Sequence, residues 1–467
     1  RLVKGSLQYF RLHRDYDRTG TVDFTELTPG ASYTARLGCL IVDSQDPDVL
    51  VDDEEVWAKL PKVTVWADEL RSLPAEESEA RFTTFPEAAA GASLKFFFGS
   101  CRYPGLFTNR KSDVIYGTIR KRAEEQGYHF GMLVGDQIYA DEFNRVIPIG
   151  KADTEAEFHD RYMTAFGSPN QRALMQQLPT YMILDDHEIE DNWVNGRLWK
   201  DSSRRLFNMA IQAYLSYQWV HGPRQAWDGR QNTKFLYYSF ECLGFPFFVL
   251  DERSQRIKED EDNNLDDNHL LGMPAKVGVD GTVYNGQLER FCAWLVTQQQ
   301  QVGDRPKFVV SPSVFAPNEL DGKKDPKKSD SWPAFPETRR AVLKTIVENR
   351  VQNVVFLGGD VHCSNVTEID FEGTPEAAQL KAFAITSSAF YWPFPFADGD
   401  PNSFVHDSRK EKDGFQVNDA VTMHYKARGF EQDDNFTEVE VDDGARKITI
   451  RNIGQKGAIL KEDVLRY

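Results

Sequence analysis

Four short apolar runs in this chain each end abruptly in a block of carboxylate, thiol, phenol or imidazole side chains. No other feature of the sequence restricts the fold as much. Leu94 to Phe98 leads into Gly99-Ser100-Cys101, and Gly131 to Val134 into Gly135-Asp136-Gln137-Ile138-Tyr139. Thr180 to Leu184 leads into Asp185-Asp186-His187-Glu188, and Asn353 to Leu357 into Gly358-Gly359-Asp360-Val361-His362. Unbroken apolar runs of this length read as buried strands. Ser112 to Gln126, Ser202 to Val220, Gly286 to Thr297 and Pro336 to Arg350 have helical patterning. Phe235 to Phe240 and Phe245 to Leu250 read as a hairpin about Gly244, Phe308 to Val310 as a strand, and Phe436 to Val441 and Ile448 to Ile450 as β structure in the tail. The alternation predicts an α/β domain. In an open α/β sheet, ligands bind beyond the carboxyl ends of the strands, so four such blocks converge on one site when the strands lie side by side. Gly99, Gly135 and Gly359, placed ahead of Cys101, Asp136 and Asp360, let the backbone turn sharply there.

Taken singly, each block has a plainer explanation. Gly-Asp after a strand is commonly a turn, Asp-Asp-His-Glu can cap a helix, and a lone histidine is commonly structural. All four together point to a metal site. Carboxylates at Asp136, Asp186 and Asp360 suit Ca²⁺, Mg²⁺ or Mn²⁺. The thiol, phenol and imidazole of Cys101, Tyr139 and His362 suit a transition metal such as iron. The mixture implies two unlike metals sharing one carboxylate, an arrangement that clamps a phosphoryl group and activates a water as nucleophile.

Residues 1 to about 92 read differently. Thr21 to Phe24 alternates, Tyr33 to Leu37 follows a Leu-Thr-Pro-Gly turn, and Val63 to Trp66 and Ala80 to Thr84 supply further strand candidates. The tyrosine after that turn resembles the tyrosine corner of a fibronectin or immunoglobulin-like sandwich. An acidic loop is expected around Asp52 to Glu55, and Pro86 to Ala92 as a linker. This divides the chain into a small β-domain, residues 1–92 and incomplete at its start, and a catalytic domain, 93–467. No charged stretch followed by an apolar run opens the chain, so no signal peptide is visible. No apolar stretch is long enough to span a bilayer. Net charge is −17 with no extended basic tract, which argues against a nonspecific nucleic-acid binder. The five cysteines are scattered, which argues against a disulfide framework or zinc ribbon, and Cys39, Cys242 and Cys292 read as buried thiols.

The motif order is specific. Gly99-Ser100-Cys101, Gly135 to Tyr139, Asp185 to Trp193, Leu250-Asp251-Glu252-Arg253, Asp330 to Pro336 and Gly358 to His362 together resemble the PhoD-like alkaline phosphatases, a branch of the metallophosphoesterases. The resemblance implies a catalytic core of two facing β-sheets flanked by helices. It implies an iron (Fe³⁺) site of Cys101, Asp136, Tyr139 and His362, with Asp136 bridging to a calcium site of Asp186, Asp330 and Asp360. Asp186 stands where metallophosphoesterases more often have Asn, and other divalent metals fit the oxygen set as well. His187 and Arg253 are then the catalytic and phosphate-binding candidates, His187 either donating to a nonbridging oxygen or protonating the leaving group, and Arg253 offering a planar fork to phosphate oxygens. The expected substrate is a small phosphate monoester. Phosphodiester or phospholipase D-like hydrolysis is the alternative within the class, and a calcium-stabilised binding protein the alternative outside it. The resemblance favours an extracytoplasmic location. Two segments stay open. Glu259 to Asn268 reads as a solvated acidic loop, with weak cation binding second. Phe390 to Phe396 either walls the pocket or packs between sheet and tail.

Overall fold

The computed structural model describes residues 3–10, 12, 16–39, 53–88, 91–104, 110–141, 150–223, 235–258, 264–277, 283–320, 329–394 and 399–467. Two β-sheets face each other at its centre. The first has seven strands, ordered Ile459–Arg466, Lys447–Gly454, Asn435–Asp442, Ser93–Arg102, Phe130–Val134 and Thr180–Ile183, with Ser388–Tyr391 also pairing to Ser93–Arg102. The second has eight, ordered Phe415–Gln416, Thr422–Glu431, Ser364–Glu372, Lys381–Thr386, Val354–Gly358, Lys307–Val310, Phe245–Val249 and Tyr238–Cys242. At the middle of each sheet the strands run parallel. Ser93–Arg102, Phe130–Val134 and Thr180–Ile183 do so in the first, and Phe245–Val249, Lys307–Val310, Val354–Gly358 and Lys381–Thr386 in the second.

Side chains alternate across each strand, which explains the unbroken apolar runs. Phe96 and Phe98 enter the core between the sheets, while Phe97 points outward to Ile115, Tyr116 and Ile119 of the helix Arg110–Gln126. In the second sheet Phe247, Phe308 and Leu357 face inward. Phe248, Val309 and Phe356 face outward, in one cluster with Phe291 and Leu295 of the helix Gln287–Val302 and Val342 and Leu343 of Pro336–Glu348. The inter-sheet core is aromatic. Phe96 stacks on Phe130 at 5.0 Å, Phe247 on Phe308 at 4.7 Å, and the two pairs meet edge to face. Pairs of this geometry add about 0.5–1.5 kcal/mol each beyond their buried area. No described helix is long and apolar enough to cross a membrane.

The N-terminal part departs from expectation. Ser32–Arg36 and Glu79–Thr83 form an antiparallel pair, as the pattern predicts. Val63–Leu70, however, is a helix, so Val63 to Trp66 is not a strand. Its apolar residues recur as Val63, Trp66, Ala67 and Leu70, a helical spacing that the β-branched pair Val63 and Thr64 disguises. Asp53–Lys59 is also a helix, where a loop is expected, and Thr21 to Phe24 belongs to no strand. Cys39 is exposed and Cys292 half-buried, so of the three thiols expected inside only Cys242 is fully buried. In the acidic segment, residues 259–263 lie outside the described part, and Leu265–Asp267 forms a 3₁₀ turn capped by Asn264.

Candidate metal centre

The carboxyl ends of the parallel strands in both sheets meet at one place. Two glycines allow it. Gly135 has φ +83, and a Cβ there would lie 2.3 Å from the Cβ of Asp185, so only glycine brings the Asp136 and Asp185 blocks into contact. A Cβ on Gly359 would lie 2.3 Å from Ser100 Oγ, so the same logic joins the block of the second sheet to that of the first. The Asp360 amide then donates to Ser100 Oγ at 3.1 Å, and Cys101 Sγ sits 3.3 Å from Asp136 Oδ2 and 3.6 Å from the Asp360 carbonyl. Cys101, Asp136, Asp360 and His362 all have left-handed backbones, with φ of 56, 54, 74 and 49. Such conformations cost about 1–3 kcal/mol each and persist where the surroundings enforce them, typically at functional sites.

Ligand-type atoms of Asp136, Asp185, Asp186 and Asp360 lie within 4.8 Å of one another, and so do those of Asp136, Asp186 and His187. Arg253, with no exposed surface, is threaded among the acids. Its Nε donates to Asp185, Nη1 is 2.6 Å from Asp330 Oδ2, and Nη2 is 3.6 Å from Asp186 and 3.9 Å from Asp360. Arg256, equally buried, holds the other oxygen of Asp330 at 2.6 Å. His187 Nδ1 is 2.7 Å from Asp141 Oδ1, and its ring lies 4.2 Å from that of Tyr139. Glu188 sits beneath the cluster and accepts the backbone amides of Asp136, Gln137 and Asp185. Trp392 covers His362, ring centroids 3.8 Å apart, and is 5.8 Å from Tyr139.

The electrostatics are those of a site short of positive charge. Burial lifts Asp136 well above the carboxylate range, opposed by His187 and reinforced by Asp186, Asp185 and Glu188. Burial, with Asp185 and Asp186, does the same to Asp360, and Asp185 is pushed up to about 7 by burial against the pull of Arg253. Burial also works against ionisation of Asp186, but Arg253 and His187 outweigh it and hold that carboxyl below its usual range. Cys101 and Tyr139 are raised by burial and by the neighbouring acids. His187 is desolvated, yet Asp141, Asp186 and Asp136 raise it well above its ordinary value. Tyr139 Oη, Asp136 Oδ1 and Asp185 Oδ2 are buried and accept or donate no hydrogen bond. A buried polar atom without a partner is costly and rare. A bound cation would satisfy these oxygens and draw the protons off them, so the donor set fits a metal centre.

A model of the PhoD-like phosphatases matches residues 101–440, which include Cys101, Tyr139, His187, His362 and every acid and arginine of the cluster. The chain belongs to the PhoD-like phosphatase family. It is 25% identical over 321 residues to alkaline phosphatase D of Bacillus subtilis (strain 168), a match covering 65% of this chain and 53% of the relative. The chain thus spans about half the length of that curated protein. A solved structure described as "Structure of PhoD" superimposes with a TM-score of 0.54 at 17% identity, covering 83% of this chain and 71% of that one, and shares the fold.

Against the pattern expected of a PhoD-like phosphatase, the structure gathers Cys101, Asp136 and Asp360 directly, with Asp186 and His187 beside Asp136. Tyr139 and His362 reach the same place, joined by Trp392. Asp330 is held by two arginines rather than by the acidic cluster. The aromatic run divides. Phe390 is core, packed on Tyr116, whereas Trp392 and Phe394 stand at the site with Tyr103, and Pro395 and Phe396 lie outside the described residues. Sequence reasoning missed Asp141, Asp185, Glu188 and Arg256. Asp185 and Glu188 flank the ligand candidates in one block, and Arg256 follows Arg253 by one helical turn's spacing, the faint signals that were there to find.

Proposed function

We infer that the chain is a metal-dependent phosphoric ester hydrolase of the alkaline phosphatase D type. The observation that carries this is the set of buried, unpartnered oxygens on Tyr139, Asp136 and Asp185 inside a cluster of acids that crowd one another. The name of the Bacillus subtilis relative supports phosphatase activity at alkaline pH. In this reading Cys101, Asp136, Tyr139 and His362 hold iron, and Asp136, Asp186 and Asp360, with Asp330, hold calcium. Bound metals would supply Lewis-acid activation of a water and neutralise charge on the phosphoryl oxygens. His187, oriented by Asp141 at 2.7 Å, donates to the leaving oxygen. Arg253 spends Nε on Asp185 and faces Asp330 with Nη1, which leaves Nη2, without a hydrogen bond, for a phosphate oxygen. Trp392 and Phe394 give the site an apolar side, which favours leaving groups with a hydrophobic face. A sandwich-like identity for residues 1–92 belongs to the same reading, supported by the antiparallel pair and by the Thr28 amide bound to the Tyr33 hydroxyl at 2.9 Å.

The test is elemental analysis of purified protein together with hydrolysis of p-nitrophenyl phosphate before and after chelation. Iron and calcium in stoichiometric amounts, with activity lost to the chelator and regained on adding both metals, is the expected result. Activity indifferent to thorough chelation would end this reading.

A further inference from the structure

Glu188 has no exposed surface and no cationic partner among its hydrogen bonds, yet both of its oxygens are fully used. Oε2 accepts from the amides of Asp136 at 3.0 Å and Asp185 at 2.8 Å. Oε1 accepts from the amide of Gln137 at 2.7 Å and from Gln218 Nε2 at 2.8 Å. Three of these donors are backbone groups of the two loops that follow Phe130–Val134 and Thr180–Ile183, and the fourth caps the helix Asp201–Tyr217. Asp136 occupies a left-handed backbone, so its loop needs an external hold to keep that shape. Outer partners of metal ligands commonly fix ligand direction in this way.

We propose that Glu188 is the positioning residue that locks the Asp136 loop to the Asp185-Asp186 loop, and so sets the spacing of the carboxylates that hold metal. The proposal rests on the metal-site reading above for its consequence but not for its geometry. Glu188→Gln is a sharp probe. With its NH₂ on the Oε2 side, the amide faces two backbone N–H groups, Asp136 and Asp185. On the Oε1 side it faces Gln137, although Gln218 could turn to meet it with Oε1, an atom without a partner in the present structure. Every orientation therefore sets donor against donor at one ligand loop or at both.

The full chain is compared with Glu188→Gln and with Gln218→Met, which removes one donor and leaves the three backbone bonds. Amide hydrogen exchange is followed in segments 130–141 and 180–192 of chelated protein, and the affinity for iron and for calcium is titrated separately. Glu188→Gln is expected to speed exchange in both segments together and to weaken metal binding by about 10–100-fold. Gln218→Met should shift both readouts the same way by less, and it keeps the test open should Glu188→Gln fail to fold. A lower melting temperature with unchanged exchange in the two segments would reduce Glu188 to a general packing role and overturn the proposal. If wild type bound no metal, the metal-site reading would fall, while coupled exchange of the two loops would still decide the role of Glu188.

Discussion

Lys307 and Asp136 are both ionisable groups with at most 1% of their surface exposed, at opposite ends of core strands. Lys307 heads its strand. Its Nζ donates to Gln299 Oε1 at 2.8 Å, to the carbonyls of Arg305 at 3.1 Å and Gln352 at 2.9 Å, and to the Gly303 carbonyl. Asp136 follows the end of its strand, with one oxygen facing Cys101 and the other bonded to nothing. Both burials cost desolvation energy. At Lys307 the fold offsets part of that cost with four acceptors of its own, as a structural polar group requires. At Asp136 it leaves the account open and strains the backbone as well. The completeness of a buried group's partners, more than its burial or its charge, separates scaffold from site.

That contrast breaks most severely at Asp136. Asp136→Asn should lose metal at both proposed positions, and hydrolysis should fall by more than the roughly 100-fold that loss of an outer partner can cost. An Asn variant with full metal content by elemental analysis would put Asp136 on the same footing as Lys307. Next in size comes the contrast between two of the buried thiols, Cys101 and Cys363. Cys101→Ser is expected to lose the transition metal and activity, with any visible absorption from Tyr139 bound to ferric iron fading too. Cys363→Ala, at a thiol packed near Gly399, should keep both and lose about 1 kcal/mol of stability. Equal behaviour of the two variants would remove Cys101 from the centre.

Smaller changes sharpen the comparison within the site. Arg253→Lys cannot serve Asp185, Asp330 and phosphate from one ammonium. Loss of a charged hydrogen bond there predicts weaker inhibition by inorganic phosphate and a higher KM, worth about 1.5–3 kcal/mol. His187→Ala should fall on kcat with metal retained, and the loss should shrink for p-nitrophenyl phosphate relative to an alkyl phosphate. Equal losses for both substrates would leave His187 no role in protonating the leaving group. The last test, at Lys307, concerns stability rather than catalysis. Burial pulls its ammonium from an ordinary 10.5 down to about 7. Between those values the unfolded chain binds more protons than the folded one, so this group makes stability rise with pH across the window, by at most about 1.4 kcal/mol per pH unit. Lys307→Met should flatten that rise in denaturant titrations at pH 7 to 10. An unchanged slope would mean that the four acceptors keep the ammonium at its ordinary value.

The legible parts of the sequence were those whose signal is local. The central strands stood out because both faces are buried, and the ligand blocks because each sits at a strand end. Ser364–Glu372 and Thr422–Glu431 escaped notice, since polar residues such as Thr367, Glu368 and Lys426 interrupt their apolar pattern. The helix at Val63 was misread because β-branched residues open it. At the site, the unforeseen residues share one property, a partner distant in sequence. Asp141 meets His187 across 46 positions, Asp136 meets Glu188 across 52, and Arg256 meets Asp330 across 74. No window of the sequence holds both halves of such a pair.

Of the strands that pair with the one carrying Cys101, Phe130–Val134 is made early, and Ser388–Tyr391 and Asn435–Asp442 are made late. Phe98 pairs with Thr437 and Ser93 with Asp442, while the other edge is covered by Phe130–Val134. During synthesis the ribosome therefore releases the middle of this sheet long before the segment that closes it. For most of translation that apolar edge is open to other chains, the condition under which nascent β-sheets associate wrongly. Pairing across so long a span is also slow. This sheet must thus complete itself after its tail strand leaves the ribosome, and a chaperone that shields the Ser93–Arg102 edge should raise the yield of active protein far more than it changes the stability of the finished fold.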